Sequence, residues 1–345
     1  MTSTKRNYVL GFFLSLTTAA LWGILPVALK ELLVAMDATT IVWYRFFVAA
    51  VILLVWLGYK KQMPNLVAVS WRIRWYLIIA AIGLCSNYYF FNYSLNFING
   101  ETAEVVMQLT TLFLILGGVI FYKEPFIGIE KLVALLIIAG LVLFFNDRLL
   151  DMASMETSEN FGVLIVFFSA LTWTIYALLQ KKLLQSYATA QILFVIYVFS
   201  FVVLLPFIAI APDSIITLTP FQMSLLGFCC LNTIVAYGCF VEALKLWDAS
   251  KVSAVLALAP LFTIGSLKLT VYFYPNYEFS DRLTNLSLIG ALLLIIGSIL
   301  TALIPLIYQT SREQAFASEI TASSTAKVSD GGGRLGGNVK NLKLL

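Results

Sequence analysis

Glu101, Glu104, Gln108 and Thr111 follow one another at steps of three, four and three, which puts them on one face of a helix inside a largely apolar run. A carboxylate in such surroundings needs a cation, a hydrogen-bond partner or an aqueous cavity. The stripe therefore predicts proton carriage, contact with a polar solute, or pairing with a buried base. Three further stripes share this character: Tyr89, Asn92, Asn96 and Asn99; Thr18, Trp22, Pro26 and Lys30; and Thr172, Tyr176 and Gln180. Together they predict a polar cavity inside a helical bundle. For any one member the alternative is structural, a side chain hydrogen-bonding from helix to helix.

Other chemistries are excluded. With 0 histidines among 345 residues, histidine-based hydrolysis and histidine–metal chemistry have no basis. Cys85, Cys229, Cys230 and Cys239 all sit in apolar stretches and read as packed thiols with no metal spacing. No nucleotide-binding motif occurs, and the glycines at 331–333 and 336–337 have no framing strand or helix pattern. Serines such as Ser94 have no recognisable base, so an intramembrane enzyme is not expected. Neither cofactor nor metal is implied. A net charge of +4 without a basic, aromatic-interleaved face argues against nucleic acid.

The positioning elements follow from composition. The chain is 61% apolar and 12% charged, and the charges cluster between apolar stretches of about 20 residues, the length that crosses ~30 Å of hydrocarbon. Ten spans are predicted, at about 8–29, 39–58, 75–98, 101–122, 128–146, 161–180, 189–211, 222–244, 249–273 and 287–308. The first span follows Lys5 and Arg6, but it exceeds a signal-peptide core and lacks a small-x-small cleavage site. With a cytoplasmic N-terminus, Lys5, Arg6, Lys60, Lys61, Arg72, Arg74, Lys123, Lys131, Lys181, Lys182, Lys245, Lys251 and Arg312 fall inside. Only Lys30, Arg148 and Arg282 fall outside. This bias predicts cytoplasmic termini at both ends. The polar residues 309–345 have too little apolar surface to order themselves and are expected to be a disordered cytoplasmic tail.

The acidic stretch 147–160 is an external linker dividing the chain into residues 1–146 and 161–308, five spans each. The halves echo one another. Trp22-Gly23-Ile24 matches Trp173-Thr174-Ile175; Gly83-Leu84-Cys85 matches Gly227-Phe228-Cys229; Leu109-Thr110-Thr111-Leu112-Phe113 matches Leu258-Ala259-Pro260-Leu261-Phe262. Five spans is an odd number, so the second half must enter the membrane in the opposite sense. The expected fold is an all-α polytopic membrane protein, ten transmembrane helices in two inverted five-helix repeats. Such repeats can exchange roles and open a central site to either side.

Two positions carry sharper expectations. Arg45 lies about 9 Å below the outer end of its span at 1.5 Å per residue. Glu101 and Glu104 start their span from the same side, so an Arg45–Glu104 pair could gate an outer vestibule; the alternative is an Arg45 that snorkels or a fixed strut. Pro260 in the ninth span removes a helical hydrogen bond and predicts a bend. Lys268 sits toward the outer end of that span.

Trp22-Gly23, Tyr44-Arg45-Phe46, Gln108 to Phe113 leading to Lys123-Glu124, then Trp173, Tyr176 and Ala259-Pro260-Leu261, in this order over residues 8–308, resemble the EamA-type permeases of the drug/metabolite transporter superfamily. The resemblance implies alternating-access movement of a small polar or amphipathic metabolite across a bacterial plasma (inner) membrane, with export among the directions. Thr111 stands where that family commonly has proline, which predicts a first half without the bend supplied by Pro260. Coupling to a proton or a counter-solute, and pairing into a homodimer, are open readings. So is a non-transport membrane scaffold or regulatory protein.

Overall fold

Hydrocarbon offers no water to a peptide group, so a long apolar segment must close its hydrogen bonds internally, as a helix. The computed structural model describes residues 3–66, 69–122, 128–146, 158–208, 217–247, 252, 255–275, 277–279 and 283–300, and these are helical with short turns and no strand. The first half contains α1 (Ser3–Leu33), α2 (Ala38–Lys60), α3 (Trp71–Ser94), α4 (Gly100–Met107), α5 (Leu109–Tyr122) and α6 (Gly128–Phe144). The second contains α7 (Ser158–Leu183), α8 (Thr189–Leu204), α9 (Pro220–Leu246), α10 (Ala259–Phe273) and α11 (Asn285–Leu300). Six segments are long and apolar enough to cross a membrane: Val9–Leu33, Ala38–Lys60, Gly100–Phe121, Ser158–Gln180, Thr189–Phe207 and Pro220–Ala243. Ala134–Phe144, Ala259–Phe273 and Asn285–Leu300 are shorter apolar helices. The protein is therefore a multi-pass helical membrane protein. Lys123, Glu124, Lys251, Arg282, most of the acidic linker and the tail lie outside the described residues.

Helix ends obey the local chemistry. Asp37 caps α2, its carboxylate accepting from the Thr40 backbone N–H at 2.9 Å. Lys61 ends the same helix in the left-handed region (φ 54°), its N–H returning to Gly58 O and Leu57 O. Thr219 and Gln222 form a reciprocal box at the start of α9, with Pro220 at the first helical position.

One expected span is broken. The predicted helix 101–122 is two helices, α4 and α5, hinged at Gln108, whose N–H bonds to Val105 O (3.1 Å) while its own carbonyl takes Thr111 N–H (3.0 Å). These are i→i−3 bonds, tighter than an α-helical turn. In the second half Leu258 N–H reaches Val255 O (3.1 Å), Leu261 N–H reaches Leu258 O (3.0 Å), and α10 resumes at Ala259 with Pro260 buried in its first turn. Both halves thus break at corresponding places, which corrects the expectation that the first would run straight without a proline.

The two halves interleave. α1 lies along α9, and α3 lies along α7; α2 meets α8; α1 meets α10, and α5 meets α7. The α1–α9 contact is mirrored by α7–α3 with the roles of the halves exchanged, and α1–α10 is mirrored by α7–α5. Lipid tails are as apolar as leucine, so such contacts depend on close backbone approach and on polar ties rather than on hydrophobicity. Asn87 Nδ2 donates to Ser169 Oγ (2.8 Å), and Ser169 Oγ donates back to Asn87 O (3.0 Å), clasping α3 to α7. Near Pro26, Leu21 O accepts from Asn232 Nδ2 (2.7 Å) and Gly23 O accepts from Thr263 Oγ1 (2.7 Å), tying α1 to α9 and α10.

Glycine is required where backbones touch. A Cβ on Gly140 would lie 2.8 Å from Leu294 N, and one on Gly290 would lie 2.6 Å from Gly140 O, so α6 and α11 meet main chain to main chain. Gly290→Leu should therefore destabilise the fold by about 1–3 kcal/mol through overpacking. Gly227→Ala, where a Cβ meets nothing within 4 Å, should leave it unchanged. Melting temperature and monodisperse yield in detergent check both; equal behaviour of the two variants would refute the close α6–α11 contact.

Candidate functional site

Arginine carries five N–H donors and a permanent charge, so its burial dictates what surrounds it. Arg45, on α2, is 2% exposed. Its Nε donates to Thr233 Oγ1 on α9 at 3.0 Å, and its guanidinium stands 4.4 Å from the centre of the Tyr88 ring on α3. Thr233 is held in turn: its hydroxyl donates to Cys229 O at 3.0 Å, and its carbonyl accepts from Tyr197 Oη at 3.2 Å. Both partners of Arg45 are neutral. Among the described residues no carboxylate lies within 4 Å of the guanidinium.

Aromatic rings continue from this point into the bundle. Tyr88 is 6.0 Å from Tyr237, and Tyr237 is 5.1 Å from Trp22. Trp22 also meets Phe240 at 5.6 Å and Trp173 edge-on at 6.4 Å. Tyr176 reaches Tyr237 at 6.3 Å; it is fully buried, and its hydroxyl has no hydrogen-bond partner among the described residues. This cluster draws rings from α1, α3, α7 and α9, so both halves build it.

The acidic stripe occupies a different place. Glu101 is fully buried and Glu104 is 8% exposed, both on α4. Among the described residues no basic group lies within 4 Å of Glu104. Arg45 is committed to Thr233 and Tyr88, so the expected Arg45–Glu104 pair is not formed. Gln108, at the hinge, accepts from Ser298 Oγ on α11 at 3.0 Å. Glu101 lies near the segment that follows α10. There, outside the spans, Tyr277 is pushed up first by burial and then by the charges of Glu31 and Glu101. Thr111 is half-buried at the start of α5.

The α3 stripe divides. Asn92 is buried, its Nδ2 donating to Tyr88 O at 2.7 Å while its Oδ1 has no partner among the described residues. Tyr89 and Asn96, with Tyr93, instead line a shallow cavity of ≈ 300 Å³ against the turn that joins α1 to α2, beside Asp37. They do not face the aromatic cluster. Lys268 is exposed on α10, whereas Pro260 is buried where α10 begins. A Cβ on Gly23 would meet Ala259 O at 2.5 Å, so α1 presses on α10 at its first residue.

The sequence pattern missed Tyr88, Tyr197, Thr233 and Tyr237. Tyr88 precedes Tyr89, one residue off the polar stripe, and a helix turns about 100° per residue, so the neighbour was selected in its place. Tyr237 is four residues after Thr233, a step that puts both on one face of α9. That spacing was the available signal.

The model of the EamA-like transporter family matches residues 9–146 and again 160–303. An "Uncharacterized transporter" of Haemophilus influenzae is 40% identical over 299 residues, 87% of this chain and 96% of that protein. The "Uncharacterized inner membrane transporter YhbE" of Escherichia coli K12 is 35% identical over 301 residues, 87% of this chain and 93% of its own length. One solved crystal structure superposes with a TM-score of 0.59 over 85% of this chain and 97% of its own, at 15% identity, a likeness of fold alone.

The partners of Arg45 yield a direct test. In a double-mutant cycle, Arg45→Gln and Thr233→Val should show a coupling of about 1.5–3 kcal/mol in unfolding free energy, the range for a hydrogen bond to a charged group. Arg45→Gln and Glu104→Gln should be additive within about 0.5 kcal/mol. Coupling of Arg45 to Glu104 instead of Thr233 would contradict the observed geometry.

Proposed function

Because this chain belongs to the EamA-like transporter family, we propose that it is a secondary transporter that carries a small polar or amphipathic metabolite by alternating access. The reciprocal packing of the two halves supports this reading above all else: α1 on α9 and α3 on α7, α1 on α10 and α5 on α7. A bundle whose halves make equivalent contacts has two arrangements of similar energy, and ligand access can pass from one face to the other by exchanging them. In this reading residues 1–146 and 161–308 are inverted five-helix repeats in a ten-span protein, both termini are cytoplasmic, and the membrane is a bacterial inner membrane.

The hinges at Gln108 and Leu258 fit the same reading, since interrupted helices free main-chain groups for a polar solute. The aromatic cluster built by both halves is the proposed solute path, with Trp22, Arg45 and Tyr176 on it. Glu104 is the proposed proton-carrying group: an intramembrane carboxyl that faces protein and has no basic neighbour within 4 Å among the described residues is the kind of group that serves in proton relays.

Purified protein in proteoliposomes, screened against a broad metabolite set by counterflow, tests transport itself; well-folded protein with no substrate-dependent flux would favour a scaffold. For a substrate that moves, an imposed pH gradient should alter the flux of the wild type. Glu104→Gln should abolish that response, with at least a several-fold change in flux per folded molecule. If flux per folded molecule and its pH profile are unchanged, Glu104 is structural.

A further inference from the structure

Arg45 is a permanent cation buried among neutral groups. Removing a charge from water carries a penalty of several kcal/mol unless an opposite charge or strong acceptors compensate it. Here the compensation comes from two neutral side chains, the Thr233 hydroxyl at 3.0 Å and Tyr88, whose ring centre stands 4.4 Å away. Thr233 takes the single Nε hydrogen, which leaves the forked Nη face without a carboxylate among the described residues. That fork is the geometry that binds a carboxylate through two parallel hydrogen bonds.

A second observation lies in the same cluster. The Tyr176 hydroxyl is fully buried and has no hydrogen-bond partner among the described residues. A buried donor left unmade is costly in the absence of a ligand, and it supplies a further donor when one is present. Between it and Arg45 run Tyr88 and Tyr237, with Trp22, Trp173 and Phe240 alongside. These rings present flat apolar surface and few polar atoms.

We propose that Arg45 is the anion anchor of this site, and that the transported solute is a monoanionic organic acid whose carboxylate sits on Arg45 and whose apolar or planar body lies along the Tyr237–Trp22–Trp173 rings. The charge count selects a monoanion. One cation neutralises one negative charge, whereas a doubly charged phosphate ester would leave a net charge inside the bundle. The Tyr88 ring covers Arg45 in this conformation, and the rings beyond it come from both halves, so the ligand reaches the guanidinium when the halves part. The inference rests on the transport reading for its direction but concerns binding, which is measured separately.

The experiment uses full-length protein in detergent at neutral pH and matched sets of carboxylate, alcohol and amine built on phenyl, indolyl and branched-alkyl bodies. Binding is read by calorimetry and by ligand-induced rise in melting temperature. At least one carboxylate should bind ten-fold or more tightly than its own alcohol and amine. Arg45→Gln should reduce that preference to within about two-fold while leaving alcohol binding unchanged, and Arg45→Lys should retain part of it. The wild-type series stands without any variant, so a poorly folded Arg45→Gln does not remove the test. Amines or alcohols binding as well as the carboxylates, or no carboxylate binding at all, overturns the proposal. Carboxylate binding without flux in proteoliposomes would uphold the anchor and sink the transporter reading; flux of a cationic or neutral solute would do the reverse.

Discussion

A polar atom inside this bundle that finds no partner in protein carries the full cost of its burial, because the surrounding hydrocarbon supplies no hydrogen bonds. That constraint shapes the architecture from the main chain outward. It makes each span helical, and it brings side chains of one helix to the main-chain carbonyls of another. Leu21 O and Gly23 O, beside Pro26, are met by Asn232 and Thr263 from the second half. These two bonds fasten α1 to α9 and α10, and so join the two halves of the chain.

Association inside the membrane relies on shape more than on apolar area. Gly23, Gly83, Gly140 and Gly290 each stand where a side chain would strike a neighbouring helix. Around them the polar ties are short in reach: Asn87 with Ser169, Thr18 with Ala236 O, Trp43 Nε1 with Phe201 O. On the face with the charged loops, Tyr187 Oη donates to Asn65 O and Gln191 Nε2 to Gln62 O, so the turn before α8 is joined to the segment after α2. The halves are thus tied at their core and at one end by hydrogen bonds that side chains make to main chain or to one another.

Hydropathy made the spans legible because a membrane helix has to be apolar over a fixed length, and α1, α2, α7 and α9 lie within a few residues of the expected limits, while α8 stops at Leu204, short of the expected 211. Packing was less legible. The stripe Glu101–Glu104–Gln108–Thr111 was drawn on a continuous helix, but the helix is interrupted at Gln108, and spacing alone carries no sign of a break without proline. Arg45 and Glu104 shared a predicted depth, yet depth fixes one coordinate of three, and the guanidinium turns to α3 and α9 instead. Tyr88 and Tyr237 were hidden by their hydrophobicity: a ring in an apolar run looks like filler until its neighbours are known.

The two hinges are built from different chemistry. At Gln108 every residue owns an N–H, so straightening the segment would only exchange i→i−3 bonds for i→i−4 bonds. At Leu258 the chain continues into Pro260, which has no N–H to give to Leu256 O, and straightening gains nothing there. One joint is reversible and the other is fixed. Two breaks that match in outline are therefore unequal, like a door with one sprung and one rigid hinge: the first can close into continuous helix without losing a hydrogen bond, and the second cannot.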